Sequence, residues 1–199
     1  MRHHPVQDVS ALPDFAYGPR MTTWWGTLAF CAVEGTGFAM VIGAYLYLLF
    51  VNPQWPLSAT PPGLLWSGVF TLVLLASLWP NHLASKSAKT QDLPKLRRDL
   101  VIMSLIGVIL LGIRYFEFLS LNVRWDQNGY GSVVWLLLGL HTLHVLTDLG
   151  DTLVLTVLMF TRHGHGKRFS DAEDNAFYWN FVVLTWLPIY ALLYWVPRM

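Results

Sequence analysis

With one cysteine, Cys31, in 199 residues, no internal disulfide can form and a disulfide-stapled scaffold is excluded. Charge is scarce as well. Asp, Glu, Lys and Arg make up 13% of the chain, where a soluble domain carries about 25%. The formal balance is +1 with His neutral, which leaves no basic field for a nucleic-acid partner. Missing too are a P-loop or dinucleotide glycine motif, a CxxC pair, a CxxCH haem attachment, a Ser/His/Asp set and any internal repeat. Apolar and aromatic residues are abundant instead: 54% hydrophobic, with 10 Trp, 8 Tyr, 11 Phe and a mean hydropathy of +0.44. That is the composition of a multi-span membrane protein.

A bilayer span needs ~20 mostly apolar helical residues. The stretches 23–50, 63–85, 100–121, 132–161 and 176–196 qualify, so the expected fold is all-α, an integral membrane bundle of five transmembrane helices over 23–199. Residues 1–22 are too polar for a signal peptide and read as a cytoplasmic arm. Basic residues set the orientation. Lys86, Lys89, Lys95, Arg97 and Arg98 fall in the second loop, and Arg162, Lys167 and Arg168 in the fourth, whereas the first loop has no charge. The N-terminus is therefore expected in the cytoplasm and the C-terminus in the periplasm. Trp24, Trp25, Trp55, Trp79, Trp125, Tyr130 and Trp195 fall near span ends, as interface anchors do.

Five charged residues fall inside the spans: Glu34, Arg114, Glu117, Asp148 and Asp151, joined by His141 and His144. An ionised group in hydrocarbon costs ~2.5–3.5 kcal/mol or more, so such groups face protein or water. Glu34, His141 and His144 come out near mid-depth at ~1.5 Å of rise per residue. Arg114 and Glu117 stand at i, i+3 and can form an intrahelical ion pair. His141 and His144 are either packing histidines or two metal ligands in search of further partners. Arg162 to Arg168 reads as a solvated turn at an anionic membrane surface. Ser170-Asp171-Ala172-Glu173 offers capping-box chemistry at the start of the last helix.

Taken together, these residues resemble subunit III of the haem–copper oxidases, the cytochrome c oxidase subunit 3 family. "AFCAVEGTGFAMVIGAYLYL" (29–48) is similar to that family's helix with a Ser-Glu dipeptide in mid-membrane, with Val33 in place of Ser. "GIRYFEF" (112–118) resembles the segment ending in Glu-Tyr and puts Glu117 on the family's second acid. "GLHTLHV" (139–145) matches both histidines of the Gly-aromatic-His-Gly-Leu-His-Val signature. "FYWNFVVLTWLPIYALLYW" (177–195) resembles Tyr-Trp-His-Phe-Val-Asp-x-x-Trp, with Asn180 for His and Val183 for Asp. Long members carry two further helices before the Glu-bearing one, so the resemblance implies a short, five-helix, divergent member. Asp148 and Asp151 are additions to the pattern at a depth that could face Asn180, and one of them is expected to bond across to the fifth helix or to the Arg162–Arg168 loop, as though an acid had moved between neighbouring helices.

The resemblance implies a non-catalytic, lipid-binding accessory subunit of an aa3-type oxidase in a bacterial inner membrane. It would stabilise subunit I, contact subunit II and support proton uptake, with a respiratory supercomplex as a further assembly. Haem and copper belong to the partner subunits, and this chain would hold phospholipid and no metal. The missing helices leave a lipid cleft open or completed by another subunit. Candidate proton-related and structural polar residues are Glu34, Glu117, His141, His144, Asp148, Asp151 and Asn180; candidates to meet lipid or a partner are Trp24, Trp25, Arg114 and Trp179. Alternatives are a subunit III-like protein of a nitric oxide reductase system and a metal-dependent membrane enzyme using His141, His144, Asp148 and Glu34. A small proton-coupled transporter is disfavoured by the lack of inverted repeats.

Overall fold

From Thr22 to Val51 the sequence has no proline, and it forms one continuous helix, α1, which ends where Pro53 forces Asn52 out of helical geometry. In the computed structural model, which describes residues 22–57, 59–161 and 167–199 (Lys167 by its backbone alone), α1 opens a set of five spans. The second span is split into α2 (Leu64–Ala76) and α3 (Leu78–Lys89). The third is α4 (Leu93–Leu119), the fourth α5 (Gly129–Phe160), and the fifth begins with α6 (Lys167–Tyr190) and continues through a π-turn, Ala191–Trp195. No strand occurs among the described residues. Residues 1–21, most of the expected arm, and Arg162 to Gly166 of the expected basic turn lie outside the described residues.

The second span was expected to run unbroken through 63–85. It breaks at Ser77 because Pro80, in the first turn of α3, has no N–H for the Ala76 carbonyl. Ser77 then donates its hydroxyl to the Leu74 carbonyl at 2.6 Å. The second loop, expected over Lys86 to Asp99, is mostly helix and contracts to Thr90–Asp92. A Schellman turn ends α3: Asp92 N–H donates to the Ser87 carbonyl at 3.0 Å and Gln91 N–H to that of Ala88 at 3.1 Å. Asp92 then caps α4 by accepting from Lys95 N–H at 3.3 Å, with Pro94 in the first turn. The expected capping box is also displaced, because α6 is already helical at Lys167 and Ser170 lies inside it.

Packing follows a 3–4 spacing of inward residues. On α4 the buried stripe runs Leu96, Leu100, Met103, Gly107, Leu110, Arg114 and Glu117. On α5 it runs Tyr130, Val134, Leu137, His141, His144, Asp148, Thr152, Leu155 and Met159. The two stripes meet most closely at Gly107, where an added Cβ would lie 2.8 Å from Leu149 Cδ1. α5 touches α1, α4 and α6, and α6 touches α1, α2, α3 and α5. By contrast, α1 buries only Cys31, Phe38 and Tyr45, a narrow seam repeating every seven residues, and leaves Met40 (76%) and Phe50 (81%) exposed. The end that carries the α3–α4 turn is tied together by Arg97, whose Nε donates to the Met159 carbonyl at the end of α5 at 2.7 Å. Asp99, expected in a loop, is buried there and accepts from Ser87 Oγ at 2.8 Å and from Arg98.

Candidate functional site

The intramembrane polar groups fall into two clusters on either side of Phe38, joined through α5. The first lies toward the C-terminal end. Arg114 Nη1 donates to Glu117 Oε2 at 2.7 Å, so the i, i+3 ion pair forms. Both side chains are closed off, at 2% and 1% exposure. The guanidinium is stacked between Phe70, 3.7 Å from its ring centroid, and Trp186, 4.3 Å away. Tyr194 donates its hydroxyl to the other carboxylate oxygen of Glu117. Arg114 therefore does not face lipid or a partner, and neither does Trp179, 2% exposed with its Nε1 donating to Ser77 Oγ at 2.8 Å. Their helix stripes point them inward, and the split at Ser77 brings a hydroxyl to the Trp179 indole. At the start of α1, Trp25 is 46% exposed, and Trp24 beside it is half-buried.

The end of α6 explains a contact invisible in the sequence. Pro188 has no N–H for the chain behind it, and the π-turn sends Val196 N–H back to the Ala191 carbonyl. Pro197 has no donor either, so the Leu192 carbonyl accepts the Tyr45 hydroxyl of α1 at 2.7 Å. Trp55 Nε1 in turn donates to that hydroxyl at 3.1 Å.

His141 links the clusters. Its Nδ1 lies 3.1 Å from Arg114 Nη2, which can only donate, and its Nε2 lies 3.1 Å from the Val182 carbonyl, which can only accept. Both ring nitrogens are engaged, so His141 is a packing histidine and is not available to ligate with His144 and Asp148. Among the described residues no group of three His, Cys, Asp or Glu is placed to hold a metal.

The second cluster lies among α1, α5 and α6. Tyr178 donates to Glu34 Oε2 at 2.7 Å, and His144 Nε2 stands 3.4 Å from Glu34 Oε1. Asp148 is buried, but it does not face Asn180. Its Oδ1 accepts from Asn175 Nδ2 at 3.4 Å, and Asn175 Oδ1 accepts from Thr152 at 3.1 Å. Asn180 instead accepts from Asn81 of α3 at 3.1 Å. Asp151 is exposed and lines a cavity of about 510 Å³, whose walls include Glu34, Arg168, Asp171, Asp174, Asn175 and Tyr178. Sequence reasoning missed Tyr178, Tyr194, Asn81, Asn175 and Asp99. For Asn81 and Asp99 the available signal was a polar residue at an inward position of its helix stripe.

These features define a polytopic α-helical membrane protein whose intramembrane polar groups find partners within and between its helices. The family model for cytochrome c oxidase subunit III matches residues 64–197, the second span through the fifth. Cytochrome c oxidase subunit 3 of Thermostichus vulcanus is 28% identical over 176 residues, 87% of each chain. That of Synechocystis is 31% identical over 174 residues, 85% of this chain and 74% of the relative. A probable cytochrome c oxidase subunit 3 of Mycobacterium tuberculosis is 28% identical over 183 residues, 86% of each. The chain belongs to the cytochrome c oxidase subunit III family. It is a multi-pass protein of the bacterial inner membrane, and membership implies a complex with other oxidase subunits of the respiratory chain.

Proposed function

We propose that this chain is a non-catalytic, lipid-binding accessory subunit of an aa3-type cytochrome c oxidase, docked on subunit I, in contact with subunit II and supporting proton uptake. The observation that carries this reading is how the intramembrane polar groups are used. Arg114, Glu117 and His141 are consumed by contacts among this chain's own side chains and backbone, and among the described residues no three His, Cys, Asp or Glu stand together as metal ligands. What remains free is surface. α1 presents Phe30, Val33, Met40 and Tyr47, and α4 presents Leu105, Val108, Ile109 and Tyr115, apolar faces suited to lipid or to the helices of a larger subunit. The cavity among α1, α5 and α6 has four carboxylates at its wall and Arg168 paired with Asp171, a setting for the ammonium end of a zwitterionic phospholipid headgroup. The end bearing Lys86, Lys89 and Lys95 faces the cytoplasm in this reading.

Purification in mild detergent tests the assignment. Haem-bearing subunits should accompany the chain in equal stoichiometry, with phospholipid retained. A monodisperse, stable monomer absent from every oxidase preparation would overturn it. Orientation is checked separately by single cysteines placed at Gln91 and Gln127, since the native Cys31 is buried and gives little background. Only the Gln91 position should be sealed from an impermeant reagent in intact cells.

A further inference from the structure

Two asparagines at the contact between α3 and α6 fix which way a mid-membrane amide points. Asn81 is buried, and its Nδ2 lies 2.9 Å from the Ala176 carbonyl, which can only accept, so the orientation of the Asn81 amide is set. The same nitrogen lies 3.1 Å from the Asn180 amide, and the atom it meets there must be Oδ1. That turns the two N–H groups of Asn180 Nδ2 away from α3. Asn180 is exposed, and its Nδ2 has no partner among the described residues.

Depth gives that donor its significance. The fifth span runs from Arg168 to Arg198, and Asn180 lies within one turn of its midpoint. Lipid tails offer no acceptor there, so an uncommitted donor facing them is costly. Exposed threonines in other spans solve the same problem on their own helix: Thr36 donates to the Val33 carbonyl at 2.6 Å, and Thr147 to the Leu143 carbonyl at 3.0 Å. Asn180 makes no such bond. Around it the face of α6 is apolar. Leu184 (63% exposed), Leu187 and Ala191 follow it at helical spacing, a stripe of the width that one packed helix covers.

We infer that this face of α6 is the docking seam for a transmembrane helix of another oxidase subunit, which packs on Leu184 and Leu187 and presents a hydrogen-bond acceptor to Asn180 Nδ2 near mid-membrane. The acceptor is a side-chain oxygen or a backbone carbonyl left open by a helix irregularity. A second copy of this chain does not supply it. Asn180 Oδ1 is turned to Asn81, so a two-fold mate would set donor against donor. The bare faces of α1 and α4 make no comparable demand, because Val33, Met40, Leu105 and Val108 are satisfied by lipid tails. The inference rests on the reading of the chain as one subunit of an oxidase complex, and it names the face by which that subunit docks.

The test places a photoreactive benzophenone side chain at Leu184 or Leu187 of the full chain, with Asn180 intact, and irradiates native membranes before purification. Mass spectrometry should find this chain joined to another subunit of the purified oxidase. Adducts with lipid alone, or with a second copy of this chain, overturn the inference. In parallel, Asn180→Leu removes the donor and should raise the apparent dissociation constant of the chain from the purified complex by about three- to tenfold in mild detergent. An unchanged constant overturns the part given to the amide. The crosslinks decide the face even if Asn180→Leu does not assemble. Absence of haem-bearing subunits from every preparation would sink the subunit assignment, whereas lipid-only adducts with those subunits present would sink the docking face alone.

Discussion

Replacing Arg114 by Met isolates what the buried ion pair contributes. Met fills much of the space between Phe70 and Trp186 but leaves Glu117, 1% exposed, with only the Tyr194 hydroxyl and no compensating charge. Removing one partner of a buried pair costs about 3–5 kcal/mol, because the other charge stays buried and unpaired. At ~1.4 kcal/mol per factor of ten, the unfolding constant should rise by about two to three and a half orders of magnitude. Glu117→Gln alone should cost less, since the guanidinium keeps both aromatic faces, worth about 2 kcal/mol when desolvated, and the amide oxygen still accepts from Tyr194. In the double variant no orphaned charge remains, so it should be at least about 2 kcal/mol more stable than Arg114→Met by itself. The assay is denaturing-detergent titration in mixed micelles, followed by tryptophan fluorescence with Trp186 beside the guanidinium. If Arg114→Met costs under about 1 kcal/mol, or the two changes add within about 0.5 kcal/mol, the pair is not the mutually compensating unit described here.

Three further outcomes follow from single contacts. Gln91 sits in the left-handed region at φ 54°, at the glycine position of the turn that ends α3, so Gln91→Gly should stabilise by about 0.5–1 kcal/mol in the same titration, and a loss of stability would refute the strain. Gly107→Ala pushes a methyl to within 2.8 Å of Leu149 Cδ1 and should destabilise by about 1–3 kcal/mol; Leu149→Ala in the same chain should relieve part of that specific clash. Asp92, hydrogen-bonded to the Lys95 ammonium and N–H outside the spans, is held below the usual carboxylate range. Its contribution is therefore present above the ordinary carboxylate pKa and lost as pH falls through the depressed value, and Asp92→Asn should flatten that acidic limb of a stability–pH profile.

The five spans were legible because apolar length is a property of composition, and the expected ends of α1 fall within a residue of the observed ones. Side-chain direction was less legible. Arg114 was expected at a lipid or partner surface because it lies near the end of a span. Extending the inward stripe from Leu96 through Leu110 puts it in the core instead, where the structure has it. Asp148 does bond across to the fifth helix, as expected, but at Asn175 and not near Asn180, which lies more than a turn further along α6. Glu34, His141 and His144 were singled out from residue type and depth alone. Which histidine would meet the carboxylate was not readable, because it depends on the rotation of α1 against α5.

That rotation is set by very little, which bears on how the chain enters a complex. α1 is held by Cys31, Phe38 and Tyr45 on one seam, by Glu34 through Tyr178 and His144, and by the Tyr45 hydroxyl on the carbonyl freed at Leu192. Apolar burial gives no net drive for helix association in lipid, where tails are as apolar as Leu, so these polar contacts fix the register of α1. One of them depends on an irregular feature of the fifth span: the Leu192 carbonyl is open because of the π-turn and Pro197. A helix anchored at two depths along one face and bare on the other is rigid enough to present a fixed surface. The polar anchors thus place the Glu34–His144 pair between the covered seam and the cavity, so that the contacts that fix the register of α1 also hold its carboxylate at the cavity wall.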